Sequence, residues 1–218
     1  MHKSVTNLIE IKKEINSKKT DSILETKVIA VSKTFSMEQI LPLIEHGHLD
    51  YGENKVQEAI EKWTIIKKEK VDLNLHMVGK LQTNKVKQAL KLFDYIHSLD
   101  SIRLAKKISE EQKKIKKRIK LFIQINIGNE DQKSGISLDE LSKFYSSCVN
   151  DLDLDIIGLM CLPPINSDPS EFFEKMKTAS NNLSLKELSM GMSSDYLTAI
   201  KFSASFVRIG SKIFGQRN

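Results

Sequence analysis

The 218-residue sequence predicts an α/β fold in which eight parallel strands, each followed by a helix, close into a single (β/α)8 barrel, the TIM barrel architecture. Three observations carry that prediction. Short apolar runs of strand length alternate eight times with stretches of helical apolar spacing; glycine falls just after five of the runs; and no long linker, composition break or repeat interrupts the series over residues 1–218. Strands that alternate with helices pair in parallel, and eight suffice for closure. An open doubly wound sheet is the competing arrangement, but nothing of the form GxGxxG follows the first strand.

The opening helix is read from Val5, Leu8, Ile9, Lys12 and Ile15, and the first strand from Val28 to Lys33. Ser36 to Gln39 has the form of a capping box and opens a helix through Ile44, where Pro42 is expected to introduce a kink or delay the start. A strand at 49–51 leads through Gly52, Glu53 and Asn54 to a helix with the stripe Val56, Ala59, Ile60, Trp63 and Ile66. The third strand (75–78) and its Gly79 precede a helix marked by Val86, Ala89, Leu90 and Phe93. The fourth (95–98) meets Ser101 as the cap of a long lysine-rich helix through Ile115. The fifth, 121–127, is the clearest, and Ser137 to Glu140 caps the helix after it. The sixth (155–160) leads to Asp168 and Pro169, an N-cap followed by proline in the first turn, and the seventh and eighth (187–190, 206–209) run into Gly191 and Gly210.

Composition narrows the function classes. The net charge of +6 comes mostly from lysines spread along helices, and the densest run, Lys113 to Lys120, lacks interleaved aromatics, so it reads as a solvated helix face and not as a nucleic-acid surface. Two cysteines, Cys148 and Cys161, without a CxxC pattern or histidines at ligand spacing, support neither a disulfide framework nor a zinc site. No apolar run approaches the roughly 20 residues of a membrane span. A soluble, cytoplasmic chain that binds no nucleic acid and no membrane is expected.

Lys33 is the residue that asks for an explanation. Strand alternation puts it on one face with Ile29 and Val31, and burying an ammonium there favours the neutral amine that attacks aldehydes to form a Schiff base. On that stretch alone, an ordinary strand-end lysine whose head reaches solvent is the simpler reading. The loops after strands 7 and 8, Gly191-Met192-Ser193-Ser194-Asp195 and Gly210-Ser211-Lys212, offer backbone amides and the hydroxyls of Ser193 and Ser211 where such barrels customarily bind phosphate. Strand 8 borders strand 1 in a closed barrel, so an aldehyde on Lys33 and a phosphate on these loops could belong to one ligand. Pyridoxal 5'-phosphate (PLP) has that form. Alternation also turns Arg208 inward with Gly210, where a guanidinium facing a pyridine nitrogen would keep it unprotonated; a structural arginine paired with a buried carboxylate such as Glu53 is equally open.

Several segments in order, AVSK (30–33), GENKVQE (52–58), HMVGKLQTNK (76–85), QINI (124–127), KSGI (133–136), GLM (158–160), LSMGMS (188–193) and VRIGSKIFG (207–215), resemble the pyridoxal phosphate homeostasis protein family over nearly the whole chain. The resemblance implies a barrel like the amino-terminal domain of alanine racemase, PLP held as a Schiff base on Lys33, its phosphate on Ser193, Gly210 and Ser211, its ring nitrogen facing Arg208, and Asn54 lining the same pocket. Lys55, where the family often carries an aromatic residue, and Phe202 to Ser205, where glycine and threonine are usual, depart from the pattern. His76 and Met160 border the expected pocket or belong to the core; Cys161 is read as a packing residue near the cofactor's end; Tyr51 and Tyr95 are conceivable acids that nothing places opposite Lys33.

The first functional reading is a monomeric PLP carrier that buffers the aldehyde and passes it to PLP-dependent apoenzymes. A PLP-dependent racemase or eliminase of low activity is the second. Racemisation needs two opposed bases, which alanine racemase completes with a tyrosine from an additional domain; with Asn218 coming directly after the eighth unit, efficient catalysis is not expected. An aldolase that attacks a phosphorylated sugar carbonyl through Lys33, without a cofactor, is the third.

Overall fold

In a computed structural model that describes residues 1–18, 25–130 and 132–216, the eight strands close into a barrel in which β1 to β8 are neighbours in sequence order and all pairs are parallel. They are β1 Lys27–Val31, β2 Asp50–Glu53, β3 Asn74–Met77, β4 Tyr95–Leu99, β5 Lys120–Ile125, β6 Asp155–Cys161, β7 Glu187–Ser189 and β8 Phe206–Ile209. Residues 19–24, 131, 217 and 218 of the expected 1–218 domain lie outside the described residues. The closing seam sets Ile29 beside Arg208 and Ala30 beside Ile209.

Alternation along the strands produces two apolar layers. Ile29, Val31, Tyr95, Phe122, Met160 and Phe206 fill the barrel interior. Val28, Ala30, Leu121, Leu159, Val207 and Ile209 face the other way, into a second layer shared with the helices. Those helices are α1 Lys3–Lys18, α2 Met37–Glu45, α3 Val56–Glu69, α4 Val86–Leu92, α5 Ile102–Ile115, α6 Leu141–Ser146, α7 Pro169–Asn182, α8 Tyr196–Lys201 and α9 Ser211–Phe214.

The expected caps form. Ser101 accepts from the Leu104 amide, Asp168 from the Ser170 amide at 3.0 Å, and Ser137 and Glu140 bond reciprocally ahead of α6. Pro42 neither delays α2 nor ends it: the helix starts directly after Ser36, and the amide that proline lacks would have bonded Glu38, whose position is exposed. The lysine run at 113–120 is not one helix face. Lys116 adopts a left-handed conformation and ends α5, after which Lys117 donates to the Phe93 carbonyl and Arg118 pairs with Asp153.

Gly158 marks the tightest strand contact, since a Cβ there would lie 2.0 Å from the Glu187 carbonyl oxygen of β7. Backbone cannot give way as a flexible side chain can. Gly158→Ala is therefore expected to destabilise the fold by about 3 kcal/mol, read from the urea midpoint at unchanged m-value. A midpoint close to that of the parent chain would show that β6 and β7 part freely.

Candidate functional site

The first strand is shorter than the pattern at 28–33 suggests. It ends at Val31, and Ser32 to Phe35 forms a turn, closed by the Phe35 amide on the Ser32 carbonyl at 3.1 Å, with Thr34 at φ 68°. Lys33 therefore projects from the turn, half-buried, and not from the strand's end. The cause is a set of polar contacts. Ser32 Oγ donates to Glu53 Oε1 at 2.7 Å, Lys62 Nζ donates to the carbonyls of Ser32 (2.9 Å) and Phe35 (3.3 Å), and Glu58 accepts from the Thr34 amide at 2.6 Å.

Glu53 is the hub of that set. Gly52 faces inward, where a Cβ would meet Ile29 and Val31, so alternation sends Glu53 outward to α3. There its fully buried carboxylate pairs with Lys62 at 2.8 Å and accepts from Trp63 Nε1 at 3.0 Å. Glu53 is thus not the partner of Arg208, which the sequence left open. Arg208 does turn inward, as alternation requires. It is 5% exposed, donates from Nη1 to Ser189 Oγ at 2.6 Å and from Nη2 to the Cys161 carbonyl at 2.9 Å, and makes no ion pair with a carboxylate among the described residues. Burial holds its pKa below the usual guanidinium range, and the carbonyl bond is the link to Cys161, whose buried thiol is pushed up to about 12.

The loops after β7 and β8 meet beside this arginine. Gly191 sits at φ +92°, where a Cβ would press on Ala199 and Tyr196 at 2.7 and 2.9 Å. Its left-handed turn lets the Met192 amide bond Asp195 Oδ1 at 2.6 Å and starts α8. Ser193 Oγ accepts from the Lys212 amide at 3.5 Å, tying this loop to the first turn of α9, whose leading amides have no intrahelical acceptor. At Gly210 a Cβ would stand 3.3 Å from the Val31 carbonyl, so any side chain would crowd β1.

These elements enclose a cavity of about 560 Å³ lined by Lys33, Ser193, Ser194, Arg208, Gly210 and Ser211, with Val31, Val78 and Leu162 as apolar walls. Five of the six residues expected at the site thus converge. Asn54 is not among the lining residues: its backbone packs where Gly79 leaves room, and its side-chain oxygen is buried without a hydrogen-bond partner. Clefts of about 650 and 610 Å³ lie elsewhere, one beside α6 and α7 and one beside α5, but neither joins a buried cation to a glycine-serine loop. Among the described residues no group of three or more His, Cys, Asp or Glu is placed to hold a metal ion, and no helix is long and apolar enough to cross a membrane.

His76 and Met160 belong to the barrel interior and do not border the cavity. Tyr95 stacks on His76, with centroids 4.3 Å apart. Tyr51 lies in the outer layer against Trp63, where burial drives its pKa up. Neither tyrosine reaches the cavity. Ser189, His97 and Lys62 were not singled out from the sequence as parts of the site; Ser189 sits within the LSMGMS segment, but only the barrel's closure brings it to Arg208.

Three buried histidines, His48, His76 and His97, have pKa values lowered chiefly by burial, His48 to about 4. The unfolded chain takes up protons on them below about pH 6.5 while the folded chain resists, so stability falls as the pH drops through that value. The His48 share alone, complete near pH 4, is worth about 3 kcal/mol. Urea midpoints measured from pH 7 down to 5 should decline; a flat profile over that interval would contradict neutral buried imidazoles.

The closed parallel barrel, with one cavity lined by the turn after β1 and the loops after β7 and β8, defines the class of (β/α)8 barrel proteins. A family model described as "Alanine racemase, N-terminal domain" matches residues 7–218. The pyridoxal phosphate homeostasis protein of Pasteurella multocida is 34% identical over 227 residues, covering 97% of each chain. PipY of Synechococcus elongatus, solved without PLP, superposes with a TM-score of 0.87 at 29% identity, covering 98% of this chain and all of that one; the same protein solved with PLP bound gives 0.82 at 30%, covering 94% and 100%. The chain belongs to the pyridoxal phosphate homeostasis protein family.

Proposed function

We propose that the protein binds PLP in the β1–β8 cavity and takes part in intracellular PLP homeostasis, buffering the cofactor or delivering it to PLP-dependent apoenzymes. The observation that carries this reading is the convergence of Lys33, Arg208 and the Ser193 and Ser211 loops on one cavity. The residues fit the cofactor. A volume of about 560 Å³ falls within the range of roughly 300–1,000 Å³ usual for small-ligand sites, and the glycine at 210 leaves room against Val31 that a side chain would take. PLP supplies an aldehyde that a lysine amine captures as a Schiff base, and Lys33 is the residue assigned that role. Ser193, Ser211 and the first amides of α9 receive the phosphate, and Arg208 offers a hydrogen bond but no proton to the ring nitrogen. Asn54, packed against Gly79 with its buried side-chain oxygen lacking a hydrogen-bond partner, remains the weakest member of the proposed set.

Holding is favoured over turnover because moving an α-proton between faces needs a second base, and among the described residues no His, Cys or Tyr joins Lys33 in lining the cavity. The protein is read as a cytoplasmic monomer.

Borohydride reduction of the protein as purified, with peptide mass spectrometry of the product, should find a pyridoxyl-phosphate adduct on Lys33. Its absence from protein supplied with PLP would sink the binding mode, and an adduct to a sugar phosphate instead would favour the aldolase reading. Apoenzyme should be activated faster by the holo form than by cofactor released into buffer; equal rates would leave buffering and remove delivery.

A further inference from the structure

Beneath the cavity a hydrogen-bonded chain of side chains crosses the barrel interior. Asp50 Oδ1 lies 3.1 Å from His76 Nε2, His76 Nδ1 lies 2.9 Å from His97 Nε2, His97 Nδ1 lies 2.8 Å from Ser189 Oγ, and that hydroxyl receives Arg208 Nη1 at 2.6 Å. The five residues come from β2, β3, β4, β7 and β8, so the chain spans the interior from the start of β2 to the arginine at the cavity floor. His76, His97 and Ser189 have no exposed surface.

A proton inventory gives the chain one direction. Burial pushes the Asp50 carboxyl up, but the hydrogen bond from His76 and the nearby Lys27 ammonium pull the other way and its pKa lies below the usual range, so it is ionised and can only accept. His76 must then carry its hydrogen on Nε2. Both imidazoles are enclosed by aromatic rings, His76 stacked on Tyr95 and His97 on Phe122 at 4.2 Å, and burial favours their neutral forms. The charged groups acting on them are Asp50, Asp94 and Lys27 around His76, and Arg208 beside His97. A neutral His76 with Nε2–H leaves Nδ1 bare, so His97 donates from Nε2; its own bare Nδ1 then takes the Ser189 hydroxyl hydrogen. Ser189 is left facing Arg208 purely as an acceptor. Every link donates away from the arginine toward Asp50.

We propose that His97, backed by His76 and Asp50, is a positioning residue that locks the Ser189 hydroxyl and so fixes Arg208 as a cation aimed into the cavity without a carboxylate partner. A carboxylate in place of Ser189 would neutralise the guanidinium; a rotating hydroxyl would let it swing. The relay does neither, and its negative charge stays at the end remote from the arginine. The consequence for the cofactor rests on the proposed PLP reading: Arg208 keeps its remaining N–H donors free for the ring.

The test has two arms. In PLP binding measured by equilibrium dialysis, His97→Phe and Ser189→Ala should each weaken affinity about tenfold, the scale of one hydrogen bond to a charged group. Their double variant should be no weaker than either single, because both break the same link. His97→Asn, whose Oδ1 can replace Nδ1 as acceptor, should recover most of the loss. Parent-like binding by His97→Phe, or additive losses, would overturn the proposal. The second arm needs no cofactor and no variant: ¹⁵N spectra of the protein at neutral pH should show His76 and His97 as neutral Nε2–H tautomers. An imidazolium, or an Nδ1–H tautomer of His97, would overturn the chain's direction even if the substitutions fail to fold. Failure of the parent protein to bind PLP would end the functional reading alone, and the tautomers would still decide the relay.

Discussion

Lys33→Ala is expected to abolish the reducible PLP adduct completely while leaving a weak, non-covalent affinity for the phosphate end of the cofactor. The geometry is the reason for the split. Lys33 stands on the turn after β1, whereas Ser193, Gly210 and Ser211 belong to the loops after β7 and β8, and Arg208 is held by Ser189 and the Cys161 carbonyl. That second wall has hydrogen bonds of its own, from the Lys212 amide to Ser193 and from Arg208 to Ser189 and the Cys161 carbonyl. Removing the amine eliminates the covalent bond but spares charge-assisted hydrogen bonds worth about 1.5–3 kcal/mol each, so PLP affinity should fall by roughly two to three powers of ten without reaching zero. Pyridoxine 5'-phosphate, which lacks the aldehyde, separates the two contributions and should bind the parent and the variant alike. A reduced adduct that persists in Lys33→Ala on another lysine, such as Lys212, would relocate the chemistry; loss of pyridoxine 5'-phosphate binding would show that the lysine shapes the pocket.

The contrast between those two walls also explains what was legible in the sequence. Period-2 alternation is a local property, so the inward aspect of Arg208 and the outward aspect of Val207 and Ile209 could be read from four residues, and glycine and serine at the ends of β7 and β8 announced the loops. The adjacency of those loops to Lys33 needed only the count of eight strands. What could not be read was the partner of each polar group. Ser189 and His97 are 92 positions apart, His76 and His97 are 21 apart, and which side chains meet across a barrel depends on its stagger, which leaves no local period. Glu53 illustrates the limit. Its neighbour Gly52 sets it facing α3, yet the sequence alone left it a candidate for Arg208, because only the fold shows Lys62 and Trp63 side by side on α3 beneath it. The end of β1 was misplaced for the same reason: apolar pattern carries through Ser32, but Glu53 and Lys62 take that residue's hydroxyl and carbonyl.

That clamp supplies the second large effect, Lys62→Met. Lys62 reaches from α3 with its side chain 13% exposed and neutralises the fully buried Glu53 carboxylate at 2.8 Å. Methionine conserves the stem and removes the charge, leaving the carboxylate with Ser32 and Trp63 as its donors and with Oε2 still unpartnered. Breaking a buried pair from one side costs about 3–5 kcal/mol, mostly the penalty for the stranded charge. Adding Glu53→Gln should recover the greater part, since a neutral amide can accept from Ser32 and Trp63 without needing a cation. Stability is one readout and the site is the other. Lys62 Nζ also holds the carbonyls of Ser32 and Phe35 on either side of Lys33, and the double variant does not replace those bonds. Chemical denaturation should therefore show Lys62→Met strongly destabilised and Glu53→Gln/Lys62→Met largely restored, while capture of PLP on Lys33 stays slowed in both. Full recovery of capture along with stability would mean that the turn keeps its shape without Lys62. A single variant within about 1 kcal/mol of the parent, the range of exposed pairs, would mean that water reaches Glu53 and that the pair is not buried in solution.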